Sequence, residues 1–286
     1  MYNYAVFILT NRRANEVVTT DTLRRCGYTG KVYYIVDDED PQLNDYRKNY
    51  GDDVIVFSKD EASKRFDMMD NFTDKNVVVY ARNMCYEIAR NLHLDYFLEF
   101  EDDYTYFEIR ERVGDILKSH KVVDLDSLFD SMIEFLNCSP NLQTVAFAQG
   151  GDLIGGCESS FFKSKLKRKA MNSFFCKVDN EFTFKGRFND DVNTYTSLGS
   201  IGKVFLTVTN VDLVQAATQK KVGGNTESYT KYGTYDSFAE WDYLKWFIEE
   251  CHKRNIEFHA WLNPYRLVSS GAKSLEATAQ TWKDYP

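Results

Sequence analysis

Tyr96-Phe97-Leu98-Glu99-Phe100-Glu101-Asp102-Asp103-Tyr104 begins as an apolar run and ends in three adjacent carboxylates. Neighbouring like charges repel, so a fold gains little from placing them together unless something positive sits beside them. A strand that delivers carboxylates to its carboxyl end is how an α/β protein holds Mg²⁺ or Mn²⁺ against a phosphorylated ligand. Side chains alternate along an extended chain, which places Glu101 and Asp103 on one face and Asp102 on the other. Asp103 is the first choice as a direct metal ligand, with Glu101 acting directly or through water. A solvated turn on an acidic protein is the competing reading.

Outward from this stretch, apolar runs recur with helical segments between them. Residues 4–9 read as a parallel strand covered on both faces, followed by Thr10-Asn11-Arg12-Arg13 and a helix over 15–26. A second run, 31–36, ends in Asp37-Asp38-Glu39-Asp40-Pro41; a third strand spans 53–57. Val77-Val78-Val79-Tyr80 reads as a brief strand or as the lead-in to a helix over 82–92. Beyond the carboxylates lie a helix over 125–136, a strand over 144–148, an irregular strand over 182–188, a helix opening at 189–193 and a strand over 201–208. The alternation implies an α/β fold with a mostly parallel sheet, and ligands along its carboxyl edge. Residues 10–13, 37–40 and 101–103 all arrive at that edge.

The chain has 286 residues, enough to bury a full core, and its 43% hydrophobic and 27% charged residues are those of a soluble globular protein. A net charge of -8 argues against a surface that coats nucleic acid throughout, though one basic face is compatible with it. Cysteines 26, 85, 138, 157, 176 and 251 show no metal-binding spacing and no signal-like segment precedes them, so reduced thiols in a cytoplasmic setting are expected. No apolar stretch approaches the roughly 20 residues that span a bilayer, so no membrane partner is expected.

Each candidate site residue carries a plainer alternative. Thr10, Asn11, Arg12 and Arg13 offer donors suited to a uracil or phosphate edge; an exposed basic turn is the alternative. Asp37 and Asp38 could accept bonds from a base or ribose, or belong to a solvated loop. Arg82 could pair with a diphosphate or hold Asp103, beside Asn83 at a helix start, or form a structural salt bridge. Asn189-Asp190-Asp191 is a second acidic cluster, suited to taking a proton from an acceptor hydroxyl or to capping a helix. Gly150-Gly151-Asp152 and Gly155-Gly156 permit close backbone approach but lack the Gly-Lys-Ser/Thr ending of a P-loop. Lys163 to Lys169 carries five basic residues in seven, which suits a polyanion or a solvated surface helix. His93, His120, His252 and His259 have no zinc spacing.

Ile8-Leu9-Thr10-Asn11-Arg12-Arg13, Tyr34-Ile35-Val36-Asp37-Asp38, Ala81-Arg82-Asn83, Phe100-Glu101-Asp102-Asp103-Tyr104 and Gly186-Arg187-Phe188-Asn189-Asp190-Asp191 together resemble the TET-associated phage DNA glycosyltransferases. The resemblance covers about residues 1–235, including Gly224 to Tyr229 and Gly233-Thr234-Tyr235, and implies a GT-A-like, Rossmann-type nucleotide-sugar-binding fold. It implies an enzyme that transfers a sugar from a UDP-sugar to 5-hydroxymethylpyrimidine, such as 5-hydroxymethylcytosine, in double-stranded phage DNA. Inversion is the expected outcome, in the cytoplasm of the infected host. Glu101 and Asp103 would then hold Mn²⁺ or Mg²⁺. Residues 10–13, Asp37, Asp38, Arg82, Asn83 and Asp102 would lie around the donor, and Asp190 or Asp191 would serve the acceptor. A glycan acceptor, or a noncatalytic nucleotide- or DNA-binding module, are the alternatives. Residues 236–286 depart from that family as a divergent appendage, and 247–266 resemble a helix–strand piece of a glycoside-hydrolase-like TIM barrel. Fifty residues cannot form a barrel of about 250, so hydrolase activity is not expected from the fragment.

Overall fold

The computed structural model describes residues 2–70, 72–216 and 243–258. The stretches Gly224–Tyr229 and 233–235, His259 and the end of the barrel-like segment lie outside the described residues. The chain divides into two compact units, 1–227 and 228–286.

The first unit opens with strand β1 (Tyr4–Leu9), helix α1 (Val18–Arg25), β2 (Val32–Asp37), α2 (Leu43–Tyr50), β3 (Val54–Phe57), α3 (Lys59–Arg65), α4 (Val78–Asn91) and β4 (Tyr96–Glu101). β1 pairs parallel with both β2 and β4, and β2 with β3. This is the expected α/β alternation. Its strands are buried on both faces because alternate side chains feed two cores. Val6, Ile8, Leu98 and Phe100 enter one, while Ala5, Phe7, Leu9 and Phe97 enter the other. Val77-Val78-Val79-Tyr80 resolves as helix: α4 begins at Val78 and buries Val79, Tyr80, Met84 and Ile88 on the second core.

The chain continues with β5 (Tyr104–Val113), β6 (Ile116–Lys121), α5 (Leu125–Leu136), β7 (Leu142–Gln149), α6 (Ser160–Lys163), β8 (Leu166–Lys167), β9 (Phe174–Lys177), α7 (Asp190–Ser200) and β10 (Val204–Gln215). The sheet order is β3-β2-β1-β4-β9-β7-β10-β5-β6, with β8 pairing β10. β7 and β10 run parallel, while β9, β5 and β6 bring antiparallel pairs into the mixed sheet. α5 spans the expected residues, with Asp124 accepting the Ser127 N–H at its start and Phe129 and Ile133 in the first core.

Two expectations are corrected. Residues 182–188 form no strand: Phe182 and Phe184 are buried, but the backbone of Phe184 bonds to the Asn83 side-chain amide instead of a neighbouring strand. The basic run at 163–169 is no surface helix, since α6 stops at Lys163 and the chain turns into β8.

All six cysteines carry free thiols. No helix among the described residues is long and apolar enough to cross a membrane. In the second unit, helix α8 (Tyr243–Lys253) is described, with Glu250 paired to Lys253.

Candidate active site

Parallel pairing of β1, β2 and β4 brings residues 10–13, 37–40 and 101–103 to one sheet edge. Asp102 faces away from its two neighbours. Thr10 Oγ1 donates to its Oδ2 at 2.8 Å and Arg13 to its Oδ1 at 2.6 Å, so the 3%-exposed Asp102 ties the tip of β4 to that of β1. The Arg13 N–H donates to the Tyr46 hydroxyl, which also meets Thr10 Oγ1. Asn11 donates to Asp37 Oδ2 at 3.0 Å, and Lys59 Nζ lies 2.9 Å from Asp37 Oδ1. Asp38 Oδ1 accepts the Lys59 N–H, and the Arg12 N–H donates to Asp40. The buried Lys59 escaped the sequence reading; nothing in a Ser-Lys-Asp-Glu run marks one lysine as the counter-charge of a carboxylate 22 positions earlier.

Glu101 and Asp103 share the other face. Both accept from Gln215 Nε2, at 2.8 Å to Glu101 Oε2 and 3.2 Å to Asp103 Oδ1. Two carboxylate oxygens thus aim at one point. α1 holds the turn beneath them: Thr19 Oγ1 donates to the Glu101 carbonyl and accepts the Tyr104 N–H, and the Thr19 N–H donates to the Asp102 carbonyl.

Behind this pair lies Arg82, 4% exposed. Its guanidinium pairs closely with Glu99, lies 3.3 Å from Glu101 Oε1 and 3.0 Å from Asp190 Oδ2, and lies over the rings of both Phe174 and Phe184. Arg82 therefore joins Glu101 to Asp190 in place of holding Asp103. Asn83 spends its amide on both backbone groups of Phe184. Glu99, 1% exposed, reads in the sequence only as part of the strand, yet it is the closest counter-charge of Arg82.

Asp190 and Asp191 open α7 after Asn189, whose φ of 51° places it in the left-handed region. Asp190 is held by Arg82, whereas Asp191 is half-buried and accepts the Val192 N–H at 2.7 Å. Burial and then the charge of Asp190 push the Asp191 carboxyl above the usual range. Burial pushes Glu101 up to about 7, opposed by Arg82 and reinforced by Asp103, Asp102 and Asp190. About a third of the Glu101 side chain meets water, which screens part of these effects.

The basic run is partly neutralised, since Lys163 pairs with Glu158 and Lys169 with Asp152. The glycines beside it shape turns, with Gly155 at φ 96° and Gly156 at φ 57°.

Among the described residues no group of three or more His, Cys, Asp or Glu could hold a metal ion. Mg²⁺ does not require one, because it commonly takes one or two carboxylates and completes its shell with phosphate and water. The Glu101 and Asp103 oxygens, already converging on a shared hydrogen-bond donor, fit that role.

A family model described as TET-Associated Glycosyltransferase matches residues 4–224. Among solved structures, glucosyl-3-phosphoglycerate synthase from Mycobacterium tuberculosis, in complex with Mg²⁺ and uridine diphosphate, is similar at 12% identity; the match covers 75% of this chain and 71% of that one, with a TM-score of 0.41. S. aureus TarS is similar at 9% identity over 76% of this chain and 37% of that one, with a TM-score of 0.43. The glycosyl hydrolase YngK of Bacillus subtilis (strain 168) is 67% identical over 28 residues, which span 10% of this chain and 6% of that protein.

Proposed function

The chain belongs to the TET-associated glycosyltransferase family, and from that premise we propose that it moves a sugar from a UDP-sugar onto 5-hydroxymethylpyrimidine in phage DNA, with inversion. The observation that carries this reading is the convergence of Glu101 Oε2 and Asp103 Oδ1 on one point at the carboxyl edge of the sheet. These two residues would hold Mn²⁺ or Mg²⁺, which when bound offsets charge on the departing nucleoside diphosphate.

Residues 10–13 and 37–38 form the nucleotide-facing edge of the site. Asp102 and Asn83 act behind it, the first by fixing Arg13 and the second by fixing the segment that leads to Asp190. Arg82 sets the spacing between donor-side Glu101 and acceptor-side Asp190. Asp191 takes the proton of the acceptor hydroxyl. It is the more accessible of the pair, and burial raises its pKa above that of an ordinary carboxylate, which suits a general base. Attack from the side opposite the diphosphate then inverts the sugar centre. Residues 1–235 carry this chemistry, 236–286 form an appendage, and the infected host's cytoplasm supplies both substrates.

A second reading keeps the donor chemistry and replaces DNA with a glycan. A net charge of -8 and the pairing of Lys163 and Lys169 with acids favour it. One assay separates the readings. The purified chain is given labelled UDP-sugars with Mn²⁺ or with chelator, against hydroxymethylated duplex DNA, unmodified DNA and glycans. Label entering hydroxymethylated DNA alone, and only with metal, is the expected result. Label entering glycans alone supports the second reading, and no turnover of any donor contradicts both.

A further inference from the structure

We propose that Lys59 is a positioning residue that makes the nucleotide-facing edge selective for a base with a ring N–H, an inference that rests on the donor-site reading above. Lys59 is the first residue of α3, two positions beyond Phe57, which pairs with Asp37 across β3 and β2. Asp38 Oδ1 accepts the Lys59 N–H at 2.9 Å, so the tip of β2 fixes the lysine backbone. The ammonium then turns back to Asp37 Oδ1 at 2.9 Å and donates to Asn76 Oδ1 at 3.2 Å, with Glu39 Oε2 farther off at 3.9 Å.

The Lys59 and Asp37 side chains are each 7% exposed. Charges so far removed from water are tolerated as a pair and are costly singly. The Glu39 N–H also donates to Asp37 Oδ1, at 3.0 Å, while Oδ2 meets Asn11. A charged carboxylate accepts hydrogen bonds and cannot donate one, whereas a primary amide has one donor end and one acceptor end. Asp37 therefore selects the NH₂ of Asn11, at 3.0 Å, and turns the amide oxygen away from itself. Asn11 is half-buried, and its side-chain oxygen has no hydrogen-bond partner among the described residues. Through Asp37, Lys59 thus fixes which end of the Asn11 amide stays open.

An open acceptor calls for a base edge that donates. Uracil carries a ring N–H on its pairing edge, where cytosine carries a bare ring nitrogen that can only accept. The Asn11 oxygen bonds the first and repels the second. Without the ammonium, nothing holds Asp37 on this line as the charged acceptor, and the Asn11 amide is free to reverse. Its NH₂ then suits cytosine as its oxygen suits uracil. A lysine that only supported the fold would change the binding of both bases alike.

The test is equilibrium binding of UDP and of CDP by the full chain in the presence of Mn²⁺, read by calorimetry. The unaltered chain is expected to bind UDP roughly ten-fold or more tightly than CDP, the discrimination that one made against one unmade hydrogen bond supplies. Lys59→Met, of similar length but uncharged, is expected to bring the two nucleotides within about three-fold of each other. Asn11→Ala removes the amide and leaves the Lys59–Asp37 pair in place. It is expected to level the two nucleotides in the same way, and it keeps the test open should Lys59→Met fail to fold. A UDP preference of the unaltered size in either variant overturns the positioning role. An unaltered chain that binds UDP and CDP alike overturns it too while leaving the donor-site reading intact, and one that binds neither overturns both.

Discussion

Arg82 concentrates the energetics of the site in one residue. A guanidinium removed from water is costly, and Glu99, Glu101 and Asp190 offset that cost by surrounding it. Arg82→Leu should therefore destabilise the fold by about 3–5 kcal/mol, because it leaves buried carboxylates without their counter-charge. Arg82→Lys should recover part of the loss in a urea titration; full stability of the leucine variant would contradict the hub. The same crowding sets a pH dependence. Glu101 has its pKa raised from the ordinary 4.5 to about 7, first by burial, and Glu99 likewise. A carboxyl raised on folding stabilises the fold while protonated, so that contribution is complete below about 4.5 and lost as pH rises through about 7. Metal-free protein should thus show a falling thermal midpoint between pH 5 and pH 7.5, and added Mn²⁺ should reverse the fall. A midpoint that rises across that window contradicts the assignment. The carboxylate triplet and its alternating faces are legible in the sequence because charge follows apolar residues abruptly. Gln215 is not, since 114 positions separate it from Glu101 and nothing local marks a glutamine that the β10 pairing delivers there.

Among elements, the helices and parallel strands follow from periodicity and the hairpin does not. β5 and β6 alternate weakly, with charged side chains on both faces of their outer halves, so no apolar stripe announces them. The turn was nonetheless written in the sequence: Gly114-Asp115 joins the paired Val113 and Ile116, and Gly114 takes a φ of 63°. Residues 182–188 fail in the opposite direction. Their apolar alternation suits a strand, but Asn83 supplies both hydrogen bonds that a partner strand would offer to Phe184. Gly27 shows an element boundary that tolerates only glycine. It follows α1 at φ 86°, and a Cβ there would lie 2.2 Å from the Val123 carbonyl oxygen. Gly27→Ala should cost more than about 1 kcal/mol in denaturant unfolding, whereas Gly114→Ala, with open space around it, should cost less. Equal losses would contradict the steric account.

For the whole molecule, both halves of the core lie within residues 1–227, so this segment should unfold cooperatively when expressed alone. A broad, non-cooperative transition would show that the boundary is misplaced. The sheet edge of this unit is the proposed metal-dependent donor site. Donor turnover with Mn²⁺, comparing the unaltered chain with Asp103→Asn, tests it most directly. Removing that carboxylate should lower kcat/KM at least about a hundred-fold while the fold persists. Turnover equal to that of the unaltered chain, with and without chelator, would contradict it.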